Sequence, residues 1–504
     1  MPKPRVLDLP PSPAALIQSL RDIGYSIETA VADLIDNSLF ATSSEIDVRF
    51  SWNAGQPWLA IADDGHGMHE DELIAAMRFG SKSPLERRSP ADLGRFGLGM
   101  KTASFSQCRH LTVLSRKAGV QSCCEWDLDT IAANTDHEWS LGVLGPGEVA
   151  RRPVLSLLAS KYLDKRESGT VVLWEKIDRI DRDISVERQE AVFNKLLADV
   201  RKHLELVFHR YLSPDRGHKG TRILMNEDPL AAFDPFNFRC ATTVELPEEQ
   251  FLCEGERVSV QPYVLPHHNK VSQDEYKKFA GISGYRDSQG FYVYRNKRLI
   301  IRGTWFRLIP KDELTKLLRV RIDIPNTLDH LWRIDVKKAT AFPPESIATE
   351  LRRIIAKIEI SGKKVYRQRG AKIGDSAVVP AWQRRASGGT VHYEINRDHP
   401  LLESIQSSLP DQQANTLDEL MSLIERSFPS DAFFHDFASA PEQIERPVYD
   451  EKSLIPLLDI IVTAWGGYSG LNGENISDLL GTEPFCHSRE LTTKILSSKG
   501  ARLD

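Results

Sequence analysis

A chain of 504 residues is too long for one compact core, so two to four domains are expected. Its apolar fraction of 41% and charged fraction of 27% are ordinary for a globular protein, and no run approaches the roughly 20 apolar residues of a bilayer-spanning helix. The formal charge of −5 excludes a wholly basic nucleic-acid binder but leaves room for a local basic face. The opening MPKPRVLDLPPSP has no apolar stretch with a cleavage site, so no secretory signal is expected. Six cysteines without a CxxC pair argue against a disulfide framework or a zinc site and for thiols in a reducing cytoplasm.

Taken in chain order, residues 14–40 read as a helix whose main part is capped by Ser26, with Glu28 in its first turn. Ile27, Val31, Leu34, Ile35 and Leu39 recur at three and four residues and form a buried face, with Asp33, Asp36 and Asn37 on another. Two strands follow over 45–51 and 58–62, joined by an Asn-Ala-Gly turn. The second runs into Asp63-Asp64-Gly65-His66-Gly67-Met68. A helix over 70–79 precedes a polar loop, which ends in Gly94-Arg95-Phe96-Gly97-Leu98-Gly99 with a helix starting at Met100. A later strand opens on Gly169-Thr170. The amphipathic stretch 186–212 reads as a connector to a second domain of strands (222–225, 290–295, 298–301, 319–324) and helices (311–318, 345–359). The last third reads as loops and then helices over 401–427 and 452–466.

The chemistry lies in four elements. Asp33 and Asn37, one turn apart at about 6 Å on a helix, place a carboxylate that can polarise water beside an amide oxygen of the hard kind that Mg²⁺ prefers. Asp63 at a strand end, with Gly65 and Gly67 behind it, can accept from an amino group while the backbone turns against a flat ligand. Gly94, Gly97 and Gly99 before a helix make an anion site, with Lys101 and Thr102 in the helix's first turn. Thr170 opens the late strand. No GxxxxGK[ST] motif is present, so a P-loop is excluded.

In their order these elements resemble the Bergerat-fold (GHKL) ATPases, the group of Hsp90, DNA gyrase B, MutL, MORC proteins and histidine kinases. The resemblance is strong over 20–180: DLIDN looks like the first box, DDGHGM the adenine box and GRFGLGMKTAS the phosphate box, with a MORC-like placement of Lys101. It implies an α+β fold: a Bergerat-type sandwich over 1–185, an S5-like transducer domain with its connecting helix over 186–370, and a helical C-terminal region over 371–504. It implies that Asp63 binds adenine, with Thr170 through water and Gly65, Gly67 and Met68 around it, and that Asn37 ligates Mg²⁺. Gly94, Gly97, Gly99 and Lys101 would wrap the phosphates, with Phe96, Leu98, Met100 and Thr102 also in the nucleotide site. Residues 77–99 would form a lid, with Ser81 and Lys82 near the nucleotide. The stretch Trp332–Pro344 looks like the family's lysine loop, so that Lys337 or Lys338 would sense the γ-phosphate. The strands around Tyr294-Arg295-Asn296-Lys297-Arg298 resemble that domain's Arg-Asn-Gly-Arg hairpin.

Two positions depart from the family. Asp33 stands where the general base is normally Glu, which sets turnover in question but not binding. Phe40 stands where many relatives carry Asp, and Asp36 is expected to supply part of the missing polar contact. The resemblance further implies an ATP-dependent homodimer clamp. DNA is the expected client, held by the basics at 295–302 and at 352–372 (Arg352, Arg353, Lys357, Lys363, Lys364, Arg367, Arg369, Lys372). Stretches such as Trp382–Arg385 and Tyr393–Pro400 resemble bacterial MORC/MutL-like proteins, some of which are encoded beside partner proteins in phage-defence or restriction clusters. An Hsp90-like chaperone and a nucleotide-gated scaffold with little turnover are the competing readings. A histidine kinase is disfavoured because only some 25 residues precede the first box, and a topoisomerase because a cleavage domain has no room.

Overall fold

The computed structural model describes residues 12–22, 24–79, 99–133, 139–179, 185–213, 220–267, 270–281, 284–329, 331–332, 343–370, 378–387, 390–430, 432–433, 436 and 449–501. The chain forms two compact units, residues 1–358 and 359–504.

The first unit opens with two helices, α1 (Pro13–Arg21) and α2 (Ile27–Phe40), where one continuous helix was expected. Gly24, at φ 81°, breaks them apart. Ser26 sits at the N-cap of α2 with extended dihedrals but makes no side-chain cap bond; its hydroxyl pairs with Thr29 at 3.0 Å instead. Strands β1 (Glu45–Ser51) and β2 (Trp58–Asp63) pair antiparallel across a 3₁₀ turn at Asn53–Gly55. Helices α3 (Glu70–Met77) and α4 (Gly99–Gln107) lead to the antiparallel strands β3 (Cys108–Lys117) and β4 (Val120–Asp127). Then come α5 (Leu128–Ala133), β5 (Gly142–Val143), α6 (Pro146–Arg151), α7 (Pro153–Tyr162) and β6 (Gly169–Ile177).

The stretch read as a connector is α8 (Val186–Val207) with the short α9 (His209–Leu212). It is part of the first layer. Its Phe193, Leu197, Val200, Leu204 and Val207 join α2, α4 and the sheet in one core. Residues 222–225, read as a second-domain strand, form β7 (Arg222–Met225), which pairs parallel with β1 and antiparallel with β8 (Asp228–Pro229). The sheet order is therefore β5-β4-β3-β6-β2-β1-β7-β8. Side chains alternate across it. Leu59, Ile61, Leu111, Val113, Val172 and Trp174 face α2 and α8, while Ala60, Ala62, Leu114, Val171 and Leu173 pack under α6 and α7. Fully burying one such Leu, Ile or Val is worth about 1.5–3 kcal/mol, so both faces stabilise the sheet.

The second sheet has the order β10-β11-β14-β12-β13, with β9 (Val244–Glu245) added on β11. Its strands are β10 (Glu249–Cys253), β11 (Glu256–Val264), β12 (Gly290–Arg295), β13 (Arg298–Thr304) and β14 (Leu318–Ile324). Strand β12 pairs parallel with β14 and antiparallel with β13. The short helices α10 (Gln273–Ala280) and α11 (Gly284–Ser288) precede β12. The helix expected at 311–318 is only a 3₁₀ turn at Glu313–Thr315, while α12 spans Glu345–Gly370.

The second unit contains a hairpin, Trp382–Ser387 with Thr390–Ile395, where loops were expected. Its helices include Pro400–Ser408, Asp411–Arg426 and Glu451–Ala464. Helices at Gly473–Leu480 and Arg489–Ser498 complete a core around Leu458, Ile461, Leu479 and Leu496.

Candidate nucleotide site

Strand alternation sets the floor of the site. Asp63, Thr170 and Ser115 follow the residues of β2, β6 and β3 that face the helix layer, and they lie in register: Asp63 opposite Thr170, and Thr170 opposite Ser115. Asp63 is 5% exposed. Its Oδ2 accepts from Ser38 Oγ on α2 at 2.7 Å, and its Oδ1 from the Gly65 amide at 2.9 Å. Burial raises its pKa above the ordinary 3.8, against the lowering effect of these hydrogen bonds. Ser115 gathers the neighbouring backbone: its hydroxyl donates to Gly169 O at 3.1 Å, lies 2.9 Å from Thr170 Oγ1, and accepts from the Met68 amide at 2.9 Å. Ser38 and Ser115 were not found by the sequence reading, because a lone serine beside a motif carries no spacing signal.

Two glycines of the adenine motif are dictated by the protein itself. A Cβ on Gly65 would lie 2.7 Å from Ala41 Cβ, and one on Gly67, at φ 65°, would lie 1.8 Å from Arg116 O. Both close the β2–α3 loop onto neighbouring chain. His66 is exposed, with its Nδ1 2.8 Å from Gly67 O.

Helix α2 brings its polar residues to different surroundings. Asn37 is exposed. Asp33, one turn earlier, is 4% exposed and Asp36 2%. Tyr25 donates its hydroxyl to Asp33 Oδ2 at 3.1 Å. Arg298, from β13 of the second sheet, places Nη2 3.8 Å from Asp33 Oδ1 and donates Nε to both Asp36 oxygens at 2.9 Å. Asp36 thus meets an arginine of the second sheet, and Phe40 is 44% exposed.

At the start of α4, Gly99 has open space where a Cβ would stand. Met100 packs on the core, and Thr102 is buried, with its hydroxyl 3.4 Å from Gly99 O. Lys101 is buried too. Its ammonium donates to Ala76 O at 2.7 Å and lies 5.9 Å from the Phe79 ring centroid, and burial lowers its pKa to about 8. Lys82, Gly94, Phe96, Gly97, Leu98, Lys337 and Lys338, together with Ser81, lie outside the described residues.

The basic hairpin differs from its reading as a DNA-facing surface. Arg295 and Arg298 are 2% and 4% exposed, paired with Asp329 at 3.3 Å and with Asp36. Lys297 is half-buried and Arg302 exposed. On α12, Arg353 and Lys357 both pair with Glu249, at 2.8 and 2.9 Å, and Arg352 with Glu345 at 2.8 Å. Among the described residues no group of His, Cys, Asp and Glu is arranged to hold a metal, and no helix is long and apolar enough to cross a membrane.

Comparison with known proteins agrees with this geometry. Similar proteins include ATPase morc-1 of Caenorhabditis elegans, 29% identical over 92 residues, which are 18% of this chain and 10% of that protein. Chaperone protein HtpG of Idiomarina loihiensis is 26% identical over 202 residues, 37% of this chain and 28% of its own. DNA mismatch repair protein MutL of Paramagnetospirillum magneticum is 33% identical over 101 residues, 20% of this chain and 16% of its own. The chain thus spans well under a third of the length of each. Residues 25–170 match the family model described as histidine kinase-, DNA gyrase B- and HSP90-like ATPase, so this stretch of the chain is a domain of the GHKL type.

Proposed function

We propose that the chain binds ATP with Mg²⁺ and hydrolyses it slowly, and that nucleotide binding closes a homodimeric clamp. The observation that carries the reading is the buried Asp63 carboxylate, held by Ser38 and Gly65 and in register with Thr170. Such an acceptor suits the exocyclic amine of adenine. The exposed Asn37 amide offers the hard oxygen that Mg²⁺ takes, one helical turn from Asp33. The ion, when bound, neutralises charge on the phosphates.

Asp33 is the base of this reading. It accepts a proton from water as the water oxygen bonds to the γ-phosphorus; the bond from that phosphorus to the β–γ bridging oxygen breaks, giving ADP and phosphate. Lys101 exchanges the Ala76 carbonyl for phosphate oxygen. The test is turnover and nucleotide affinity of Asp33→Asn. The expected result is a rate lower by about 10²–10⁴ with affinity retained. Turnover equal to the parent protein would end the assignment.

DNA is the client this reading favours, and its support is now narrower. Buried Arg295 and Arg298 drop out, leaving Lys297, Arg302 and the exposed face of α12. A nucleotide-gated scaffold with little turnover is the second reading. Asp33 favours it, being 4% exposed with one oxygen on Tyr25 and the other facing Arg298.

A further inference from the structure

The β12–β13 hairpin packs Tyr294 and Leu299 against Leu206 of α8 and sends Arg298 further, to α2. Its turn residues Asn296 and Lys297 both have positive φ, 48° and 67°, as a tight two-residue hairpin turn requires. Tyr211 of α9 donates to Asn296 O at 2.5 Å and fixes the turn. Arg298, first residue of β13, then points into α2. Its Nη1 donates to Leu299 O at 2.8 Å, and its guanidinium lies 5.6 Å from the Phe208 ring centroid. Nε is shared between the Asp36 oxygens, and Nη2 faces Asp33. The partners are 262 residues apart in the chain.

Asp33 and Asp36 are three residues apart on one helix, both almost wholly buried. Two carboxylates there repel each other, and the guanidinium between them is the cation that offsets both. Asp33 also has one methylene fewer than Glu. It has less freedom to find an attacking water by its own rotation, so the placement of α2 matters more. Arg298 sets that placement from the second sheet, while Tyr25 holds the other oxygen.

We propose that Arg298 is a positioning residue for hydrolysis: it anchors on Asp36 and fixes the Asp33 carboxylate, so that turnover requires the second sheet's hairpin to be seated on α2. This rests on the reading of Asp33 as the base.

The test measures kcat, KM and the affinity for a fluorescent non-hydrolysable ATP analogue in the full chain. Arg298→Ala is expected to lower kcat on the order of 100-fold, the scale of a small misplacement of a reacting group, with analogue affinity unchanged. Arg298→Lys keeps the charge without the fork and is expected to recover part of that loss. Asp36→Asn, nearly isosteric, removes the anchor while leaving Arg298 in place, and serves if the alanine variant does not fold; it is expected to lose kcat with affinity retained. Parent-like kcat in the folded variants overturns the proposal, as does a kcat above the parent's or a parallel fall in kcat and affinity. Asp33→Asn, run beside them, separates the two ideas. If it turns over normally, the base assignment has failed; if it is inactive while the Arg298 and Asp36 variants are parent-like, only the positioning role has failed.

Discussion

Asp63 is a buried carboxyl group, and burial favours its neutral form. Burial raises its pKa in the folded chain, so the folded state takes up its proton more readily than the unfolded one. The contribution of this group to stability is therefore greatest below the ordinary value of 3.8 and is lost as pH rises through the folded one. Nucleotide binding has the opposite sign, because the ionised acceptor disappears on acidification. Asp63→Asn is expected to weaken ATP binding by at least tenfold, the order of a lost charge-assisted hydrogen bond, while the thermal midpoint at neutral pH stays level or rises. Calorimetry with ATP and a melting curve check both halves. Gly67→Ala is expected to do the reverse in kind: at φ 65° and 1.8 Å from Arg116 O, the added methyl forces the loop apart. A loss of roughly 2 kcal/mol or more in urea unfolding is expected for such backbone strain and overpacking.

At the level of elements, α9 joins the two sheets through His209, whose Nε2 lies 2.7 Å from Tyr294 Oη. Burial, with Arg210 and Arg321 nearby, lowers its pKa from 6.5 to about 3. The folded chain keeps it neutral while the unfolded chain protonates, so its stabilising contribution is full above 6.5 and is lost as pH falls toward about 3. His209→Gln is expected to flatten the decline in urea midpoint between pH 7 and 4.5; an unchanged slope would remove His209 from that decline. Strands β1, β2 and β6 and helix α2 were legible from period and turn signals, since the buried face at Ile27, Val31, Leu34 and Ile35 repeats at helical spacing. The motifs singled out Asp63 and Thr170, which the sheet sets opposite each other. The partnership of Arg298 with α2 was not legible, because only tertiary packing brings together residues so distant in the chain; a charged hairpin read alone looks like a solvent-facing surface. Strand β7 was read at 222–225 but given to the second domain, for a related reason: four residues carry no sign of which sheet they join.

For the molecule as a whole, a clamp closed by nucleotide doubles the mass in solution. The chain is expected to scatter light as a monomer without nucleotide and as a dimer with a non-hydrolysable ATP analogue and Mg²⁺; a single mass in both conditions would remove the clamp. If DNA is the client, it should stimulate turnover, and raised salt should abolish the stimulation, since sequence-independent phosphate contacts weaken steeply with ionic strength.

The parallel pairing of β7 with β1 has a consequence for anyone who would cut or graft this chain. The first layer does not close at residue 185: it takes back α8 and a strand some forty residues later, with Ile223, Met225 and Leu230 in its core. A fragment ending at 185 would bare the outer edge of β1 and the apolar seat of Phe193, an open strand edge of the kind that seeds aggregation. A chimera that borrows this layer must therefore carry the chain through Leu230, and recombination between relatives would be expected to spare that interval.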